Sequence, residues 1–178
     1  MKPKNRGLNL FSVILSFICG ILVLVIDQIT KYFITLNFEL GQSADFLKGF
    51  IDITYIHNQG GAWGMLSGKT SLLVVVTAVV MVGCVVIIIK NANKSKLLVW
   101  SLNFVLFGGI GNMIDRIFKN GNVVDFLHFE FWPQFPVFNV ADCAIVVGAC
   151  LLFLYYLLDI IKDFKAKKCG EQGENADN

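Results

Sequence analysis

Residues 71–89 read SLLVVVTAVVMVGCVVIII, and no side chain in this run carries a charge. An α-helix rises about 1.5 Å per residue, so about 20 residues cross a hydrocarbon core of about 30 Å. Lipid offers the backbone no hydrogen-bonding partner, and a helix satisfies its own polar groups even where β-branched residues are frequent. The run is therefore predicted to be a transmembrane helix. Two further uncharged runs lie at 7–26 and 97–114, and a fourth run, at 137–158, is apolar apart from the polar group around Asn139 and Asp142.

The composition also indicates a chain that lies mostly in lipid. Of the 178 residues, 56% are hydrophobic and 16% are charged, and the mean hydropathy is +0.67. Soluble domains have about 25% charged residues. The core of a soluble domain could account for one long apolar run but not for four. We predict a mainly α-helical membrane protein, with a single domain over 1–168 and a polar disordered tail over 169–178. Its transmembrane helices are expected at about 7–27, 71–89, 97–116 and 137–158.

The first run is not expected to be a cleavable signal peptide. The apolar region of a signal peptide has about 7–15 residues and is followed by small residues at a cleavage site. This run is longer and ends in Val25-Ile26-Asp27-Gln28. We therefore expect a retained membrane anchor.

The placement of the basic residues predicts the orientation of the chain. Ten of the 15 lysines and arginines lie before the first helix, between the second and third, or after the fourth. Cytoplasmic segments carry such an excess, so both termini are expected to be cytoplasmic and the segments at about 30–69 and 115–136 external. The ten are Lys2, Lys4, Arg6, Lys90, Lys94, Lys96, Lys162, Lys165, Lys167 and Lys168.

The first external segment contains a strand signature. Residues 50–56 read FIDITYI, a β-branched and aromatic sequence with glycines on both sides. We therefore expect an external strand segment over about 35–65 that forms a small β-sheet on the outer membrane surface.

Polar side chains next to the apolar runs are the candidates for function. Such residues are costly near the hydrocarbon and by default mark a functional site. The predicted topology brings this set to one depth, the outer membrane interface. Its members are Asp27, Lys31, Asn58, Asn112, Asp115, Arg116, Asp125, Asn139 and Asp142.

Several of these residues also have an ordinary structural interpretation, which the sequence leaves open. Asp27 and Lys31 have the i,i+4 spacing of a helical ion pair. Asn58 fits a turn, and Arg116 could extend to the lipid headgroups. Asn139 stands where the N-cap of the fourth helix is expected.

Asp125 and Asp142 are the residues that best support chemistry. Both are flanked by apolar residues, whereas Asp115 fits a helix-end charge or an arginine partner and is left out of the catalytic set. His57 and His128 have no ligand spacing, and the five cysteines form no metal or disulfide pattern. Two carboxylates held close together cannot both ionise easily, so one keeps a proton while the other acts as a base. That is the arrangement of aspartyl proteases.

Five motifs resemble, in order, those of the lipoprotein signal peptidase (signal peptidase II) family over about residues 10–160. They are DQITK at 27–31, NQGGAWG at 58–64, GGIGNMIDR at 108–116, VVDF at 123–126 and FNVAD at 138–142. One such motif alone would be weak evidence for the family, but five motifs in the family's order are specific to it. Trp63 and Cys143 depart from the family pattern, which often has phenylalanine and a small residue at these positions.

The resemblance implies an aspartic endopeptidase of the bacterial cytoplasmic (inner) membrane, with its active site at the outer interface. Such an enzyme removes the signal peptide of diacylglyceryl-modified prolipoproteins just before the lipid-bearing cysteine, and its catalytic pair maps onto Asp125 and Asp142. It implies no metal or cofactor. We expect the lipid-modified prolipoprotein and membrane phospholipid as partners, no nucleic acid, and a monomer. Residues expected to bind substrate or orient the pair are Asp27, Lys31, Asn58, Asn112, Arg116 and Asn139.

Two other functions fit the composition less well. A small transporter would use intramembrane carboxylates near the membrane midplane, commonly at broken helices in repeated halves, and no repeat is visible here. A structural membrane subunit would not need two desolvated carboxylates beside asparagines and an arginine.

Overall fold

The chain folds into four long helices and one small sheet, in a computed structural model that describes residues 10–61, 68–92 and 95–174. All four helices are long and apolar enough to cross a membrane, so the predicted fold class is confirmed. The bounds of the second and third helices agree with the prediction within two residues. The helices are α1 (Leu10–Asn37), α2 (Thr70–Asn91), α3 (Lys96–Phe118) and α4 (Val140–Glu174). The strands are β1 (Ser43–Leu47), β2 (Ile51–Asn58) and β3 (Val123–Phe129).

Helix α3 lies at the centre of the bundle and packs against the other three helices. In its most apolar stretch 67% of the residues are buried, against 11–22% in the other helices, which expose apolar side chains on their outer faces. Gly148 of α4 allows close packing, since a β-carbon there would lie 2.7 Å from the Ser101 carbonyl oxygen of α3. Small residues at such contacts let membrane helices approach closely.

The sheet has the strand order β1-β2-β3, and both pairs are antiparallel. Asp52 of β2 lies opposite Asp45 of β1 and His128 of β3. The predicted small sheet is confirmed, and β1 and β2 fall within the predicted segment, of which residues 62–65 lie outside the described part of the chain. Strand β3 comes from the second predicted external segment, where no strand was predicted. Its sequence, VVDFLHF, has the β-branched and aromatic content of a strand.

Helix α1 is longer than predicted. The predicted helix ended at about residue 27, because a charged side chain there closes the uncharged run. The helix instead continues to Asn37, and Asp27 and Lys31 are buried within the bundle, where they pair at 2.9 Å. The helix thus continues through the two charged residues. The external segment, which was predicted to start at about residue 30, begins after Asn37.

Helix α4, predicted over about 137–158, begins at Val140 and extends beyond its predicted end. A disordered tail was predicted over 169–178, but α4 runs to Glu174, and residues 175–178 lie outside the described part of the chain. Extending an existing helix adds one hydrogen bond for each residue fixed, so an apolar helix can continue into a polar sequence.

Candidate active site

A cavity of about 720 Å³ lies where α3 ends and α4 begins. Five predicted site residues line it: Asn58, Asn112, Arg116, Asp125 and Asp142. Much of the remaining wall is apolar. Ligand sites typically combine apolar walls with a few converging polar groups, so this cavity is the candidate active site. Its apolar wall includes Phe129, Phe135, Phe138, Ile145 and Val146.

Asp125 lies on β3 and lines this cavity, and only 1% of the residue is exposed. Its Oδ2 accepts a hydrogen bond from Asn58 Nδ2 at 2.8 Å, and its Oδ1 accepts one from Asn139 Nδ2 at 2.6 Å. Burial, followed by the charge of Asp142, raises the pKa of Asp125 to about 7, and the two amide donors and Lys31 offset only part of this effect. Asp125 can therefore hold or release a proton near neutral pH.

Asp142 lies in the first turn of α4 and lines the same cavity. Its backbone N–H donates to Asn139 Oδ1 at 2.9 Å, and its Oδ2 accepts the Asn139 backbone N–H at 3.1 Å. This reciprocal pair is a capping box, so Asn139 is the N-cap of α4 as one interpretation of the sequence had it. Asp142 Oδ1 accepts a further hydrogen bond from Asn112 Nδ2 at 2.8 Å. The helix cap therefore also orients this carboxylate.

Asn139 connects the two carboxylates. The residue is fully buried, and its Nδ2 lies 2.6 Å from Asp125 Oδ1, 3.0 Å from Asn112 Oδ1 and 3.3 Å from the Val124 carbonyl oxygen. Its backbone N–H and its Oδ1 bind Asp142. One side chain thus sets the position of Asp125 relative to Asp142.

Lys31 is the charged centre behind the cavity. Its side chain is 1% exposed, and its Nζ lies 2.9 Å from Asp27 Oδ2, 3.2 Å from Asp115 Oδ2 and 3.0 Å from Asn112 Oδ1. The i,i+4 ion pair, which the sequence left open as one interpretation, is present, although it is buried and shared with a second carboxylate. Because Lys31 donates to the Asn112 oxygen, the Asn112 amide nitrogen is directed at Asp142.

Asp27 of α1 holds the beginning of α4. Its Oδ1 accepts the Ala141 backbone N–H at 2.9 Å, and its Oδ2 accepts Gln28 Nε2 at 3.0 Å. The first N–H groups of a helix have no partner within the helix, and the helix dipole favours a negative charge beside them. Asp27 therefore anchors α4 one residue before Asp142.

Asn58 and Arg116 complete the polar wall. Asn58 Oδ1 accepts the Gly60 backbone N–H at 2.9 Å, as a turn asparagine does, while its Nδ2 binds Asp125. Arg116 lines the cavity, and its Nη1 donates to the Asn112 carbonyl oxygen at 3.4 Å. Its Nε is buried without a hydrogen-bond partner among the described residues.

The structure brings all eight predicted site residues together, in the cavity wall or directly behind it. Sequence reasoning interpreted Asp115 as a helix-end charge or an arginine partner and missed its contacts: its Oδ1 lies 2.7 Å from Lys119 Nζ, and its Oδ2 accepts the Val124 N–H. The i,i+4 spacing of Asp115 and Lys119 is a signal that could have paired them. Of the two departures from the family pattern, Cys143 lines the cavity and Trp63 lies outside the described part of the chain.

Known proteins match this chain over most of its length. The family model described as signal peptidase II matches residues 19–158. The lipoprotein signal peptidase of Enterococcus faecalis is 41% identical over 162 residues, which cover 91% of this chain and 97% of that protein. That of Bacillus pumilus is 43% identical over 144 residues, 80% of this chain and 92% of that protein. A bacterial membrane enzyme, whose structure was determined by the in meso method at 2.3 Å resolution, matches with a TM-score of 0.79 and 31% identity over 89% of this chain and 94% of that one. The predicted resemblance is confirmed, and the chain belongs to the signal peptidase II family of aspartic-type peptidases.

Proposed function

We propose that this chain removes the signal peptide from diacylglyceryl-modified prolipoproteins, with Asp125 and Asp142 as its catalytic pair. The observation that carries the proposal is a buried carboxylate, Asp125, joined through Asn139 to a half-buried one, Asp142, in the wall of a largely apolar cavity. Two relatives with more than 40% identity are lipoprotein signal peptidases. A signal peptide is an apolar segment, which suits a cavity whose wall is largely apolar.

The two carboxylates share one proton in this mechanism. The ionised carboxylate takes a proton from a water molecule, whose oxygen attacks the scissile carbonyl carbon and forms a gem-diol. The protonated carboxyl donates its proton to the former carbonyl oxygen, which completes the gem-diol, and the pair then holds the proton taken from the water. When the C–N bond breaks, the leaving amine receives that proton from the pair, and a gem-diol hydroxyl returns one proton to the pair. Because the pair titrates as a unit, acid and base are assigned to the pair rather than to either residue.

The surrounding polar residues orient this pair or bind the substrate. Asn58, Asn112 and Asn139 donate hydrogen bonds to the two carboxylates. Asp27 and Lys31 act from behind the cavity, as anchors of α4 and of the Asn112 amide. Arg116 lines the cavity with a buried Nε that is free among the described residues, which suits a substrate carbonyl oxygen. Proximity then supplies much of the rate acceleration.

The site would lie at the outer face of the bacterial cytoplasmic (inner) membrane. The excess of lysine and arginine near the other helix ends favours the cytoplasm for both termini. The ends of the helices that meet the sheet and the cavity are then the outer ends. Substrate and enzyme would share the membrane plane, with phospholipid around the exposed apolar helices of a monomer and cleavage before the lipidated cysteine.

The test is cleavage of a dioleoylglyceryl-modified prolipoprotein peptide in detergent micelles. We expect Asp125→Asn and Asp142→Asn each to lower kcat by about 10²–10⁴-fold or more, since general acid–base catalysis contributes that much. Asp45→Asn is the matched control, because the Asp45 side chain is 75% exposed on β1 and its ion-pair distance to Lys48 is 3.9 Å. It should cleave at the wild-type rate.

Two outcomes would contradict the proposal. Near-wild-type cleavage by folded Asp142→Asn would refute the catalytic pair. Failure of the folded wild type to cleave the peptide would refute the substrate and favour the transporter or structural interpretation.

A further inference from the structure

Asp115 of α3 is a buried carboxylate that the proposed mechanism does not use. None of its surface is exposed, and it does not line the cavity. Its Oδ2 accepts the Val124 N–H at 3.0 Å and lies 3.2 Å from Lys31 Nζ, while its Oδ1 lies 2.7 Å from Lys119 Nζ. Since Val124 directly precedes Asp125, Asp115 holds the backbone next to Asp125 from outside the cavity.

The backbone next to Asp142 is held in the same way. Asp27 Oδ1 accepts the Ala141 N–H at 2.9 Å, and Ala141 directly precedes Asp142. Asp27 Oδ2 pairs with Lys31 Nζ at 2.9 Å. Lys31 therefore joins two buried carboxylates, each of which binds the backbone N–H of the residue just before one of the two site aspartates.

Asp115 also spans the turn that leads from α3 into β3. Its backbone carbonyl accepts the Lys119 N–H at 2.8 Å at the beginning of the turn, and its carboxylate binds Val124 after it. Between them, Asn120 and Gly121 adopt left-handed conformations, with φ of 53° and 85°. A shift of the Asp115 carboxylate is therefore expected to displace the first residues of β3.

The charges of this network balance one another. Asp27 and Asp115 supply two carboxylates, and Lys31 and Lys119 supply two ammonium groups. The network thus adds little net charge beside the catalytic pair. A carboxylate fixed by two cations is a well-defined acceptor, and hydrogen bonds to charged groups are about twice as strong as neutral ones.

We infer that Asp115 is a positioning residue of the peptidase, which sets the place of the Asp125 carboxylate through the Val124 N–H. The inference rests on the proposed function, because it concerns the geometry of the proposed catalytic pair. It assigns Asp115 an effect on catalysis without any contact with the substrate.

The test measures Asp115→Asn against the wild type on the dioleoylglyceryl-modified peptide in micelles. The amide is similar in size but loses the charge that pairs with Lys31 and Lys119. Titration with a non-hydrolysable analogue of the peptide gives the number of enzyme molecules that can bind substrate, and kcat is calculated per such molecule. We expect this kcat to fall about tenfold or more, since a displacement of about 1 Å can cost about 100-fold. KM should stay within about twofold, because uniform binding is not altered.

A control and a second variant make the test decisive. Asp52→Asn removes a carboxylate from the neighbouring strand β2 and should leave both kcat and KM at wild-type values. Where Asp115→Asn does not fold, the Val124 amide N–H is replaced by an ester oxygen, which removes the hydrogen bond and keeps both side chains and both ion pairs. The same fall in kcat is expected for this ester.

The outcomes separate the inference from the proposed function. A wild-type kcat per competent molecule in Asp115→Asn, or in the ester where that variant does not fold, would mean that Asp115 only stabilises the fold and overturns the inference. Failure of the wild type itself to cleave would overturn the proposed function, and the inference with it, before any variant is compared.

Discussion

Gly111 is a position where one added methyl group should disturb the site without removing any of its polar residues. A β-carbon at this position of α3 would lie 2.7 Å from Asp27 Oδ2 and 3.1 Å from the Ala141 Cβ. The Asp27 carboxylate cannot swing aside freely, because Lys31 Nζ and the Ala141 N–H each hold one of its oxygens at 2.9 Å. We predict that Gly111→Ala displaces this carboxylate or forces α1 and α4 away from α3.

The size of the effect follows from these distances. A carbon and an oxygen in ordinary contact lie about 3.4 Å apart, so the Asp27 carboxylate must move by about 0.7 Å. A 2.9 Å hydrogen bond from Ala141 stretched by that amount leaves the usual range of about 2.7–3.2 Å. Loss of a hydrogen bond to a charged group and overpacking together destabilise by about 2.5–6 kcal/mol, and the higher helix propensity of alanine offsets about 0.8–1 kcal/mol of this. The apparent Tm should therefore fall by at least about 3 °C, and cleavage by up to about 100-fold.

The assay pairs thermal melting in detergent with cleavage of the lipid-modified peptide. Gly83→Ala is the matched control, because a β-carbon at Gly83 of α2 would meet no atom within 4 Å. Alanine is favoured over glycine in a helix by about 0.8–1 kcal/mol, so this variant should keep wild-type activity and melt no earlier than the wild type. If Gly111→Ala matches Gly83→Ala in both measurements, the close approach of Gly111 and Asp27 has no energetic consequence and the reasoning is refuted.

Two further predictions concern charge. The pKa of Asp125 is raised from 3.8 to about 7, so its proton is bound below that pH and lost above it. We therefore expect kcat/KM to fall about tenfold per pH unit above about 7. A kcat/KM that stays constant up to about pH 9 would contradict the shared proton. Lys31→Met removes the cation between Asp27 and Asp115 and should destabilise the fold by about 3–5 kcal/mol. Lys48→Met removes an 86% exposed lysine and should cost less than about 1 kcal/mol, so similar melting of the two variants would contradict the importance of the buried network.

The helices could be predicted because a membrane crossing demands a long uncharged run, which is a local property of the sequence. The same criterion failed at the end of α1, where Asp27 and Lys31 interrupt the run. Their burial depends on partners from other helices, such as Asn112, which is 81 residues away from Lys31 in the sequence. The i,i+4 spacing of the two residues indicated that they could pair, but no local pattern reveals that the pair is buried inside the bundle, so hydropathy ended the helix too early.

The site residues could be predicted because polar side chains stand out in an apolar context. Asp142 is conspicuous in the first turn of an apolar helix, and Asp125 is conspicuous in an apolar strand. Asp115 was set aside because a charge next to Arg116 at a helix end is ordinary. Its proposed role depends on the hydrogen bond that it accepts from the Val124 N–H. Because the donor is a backbone group, the residue types in the sequence do not indicate this contact.

The partners of Lys31 explain how the buried Asp125 carboxyl can keep a proton although a lysine lies close behind it. Lys31 Nζ is held by Asp27 and Asp115, and among the described residues the hydrogen bonds that reach the pair come from amide groups. Amide donors stabilise an ionised carboxylate less than a direct cation does, so burial and the charge of Asp142 prevail and raise the pKa of Asp125 to about 7. A direct ion pair between Lys31 and Asp125 would lower the pKa of Asp125, and the pair would then lack the proton that the carbonyl oxygen requires. Asp27 and Asp115 therefore bind the backbone N–H groups before the two site aspartates and also pair with Lys31, and the proposed hydrolysis depends on both effects.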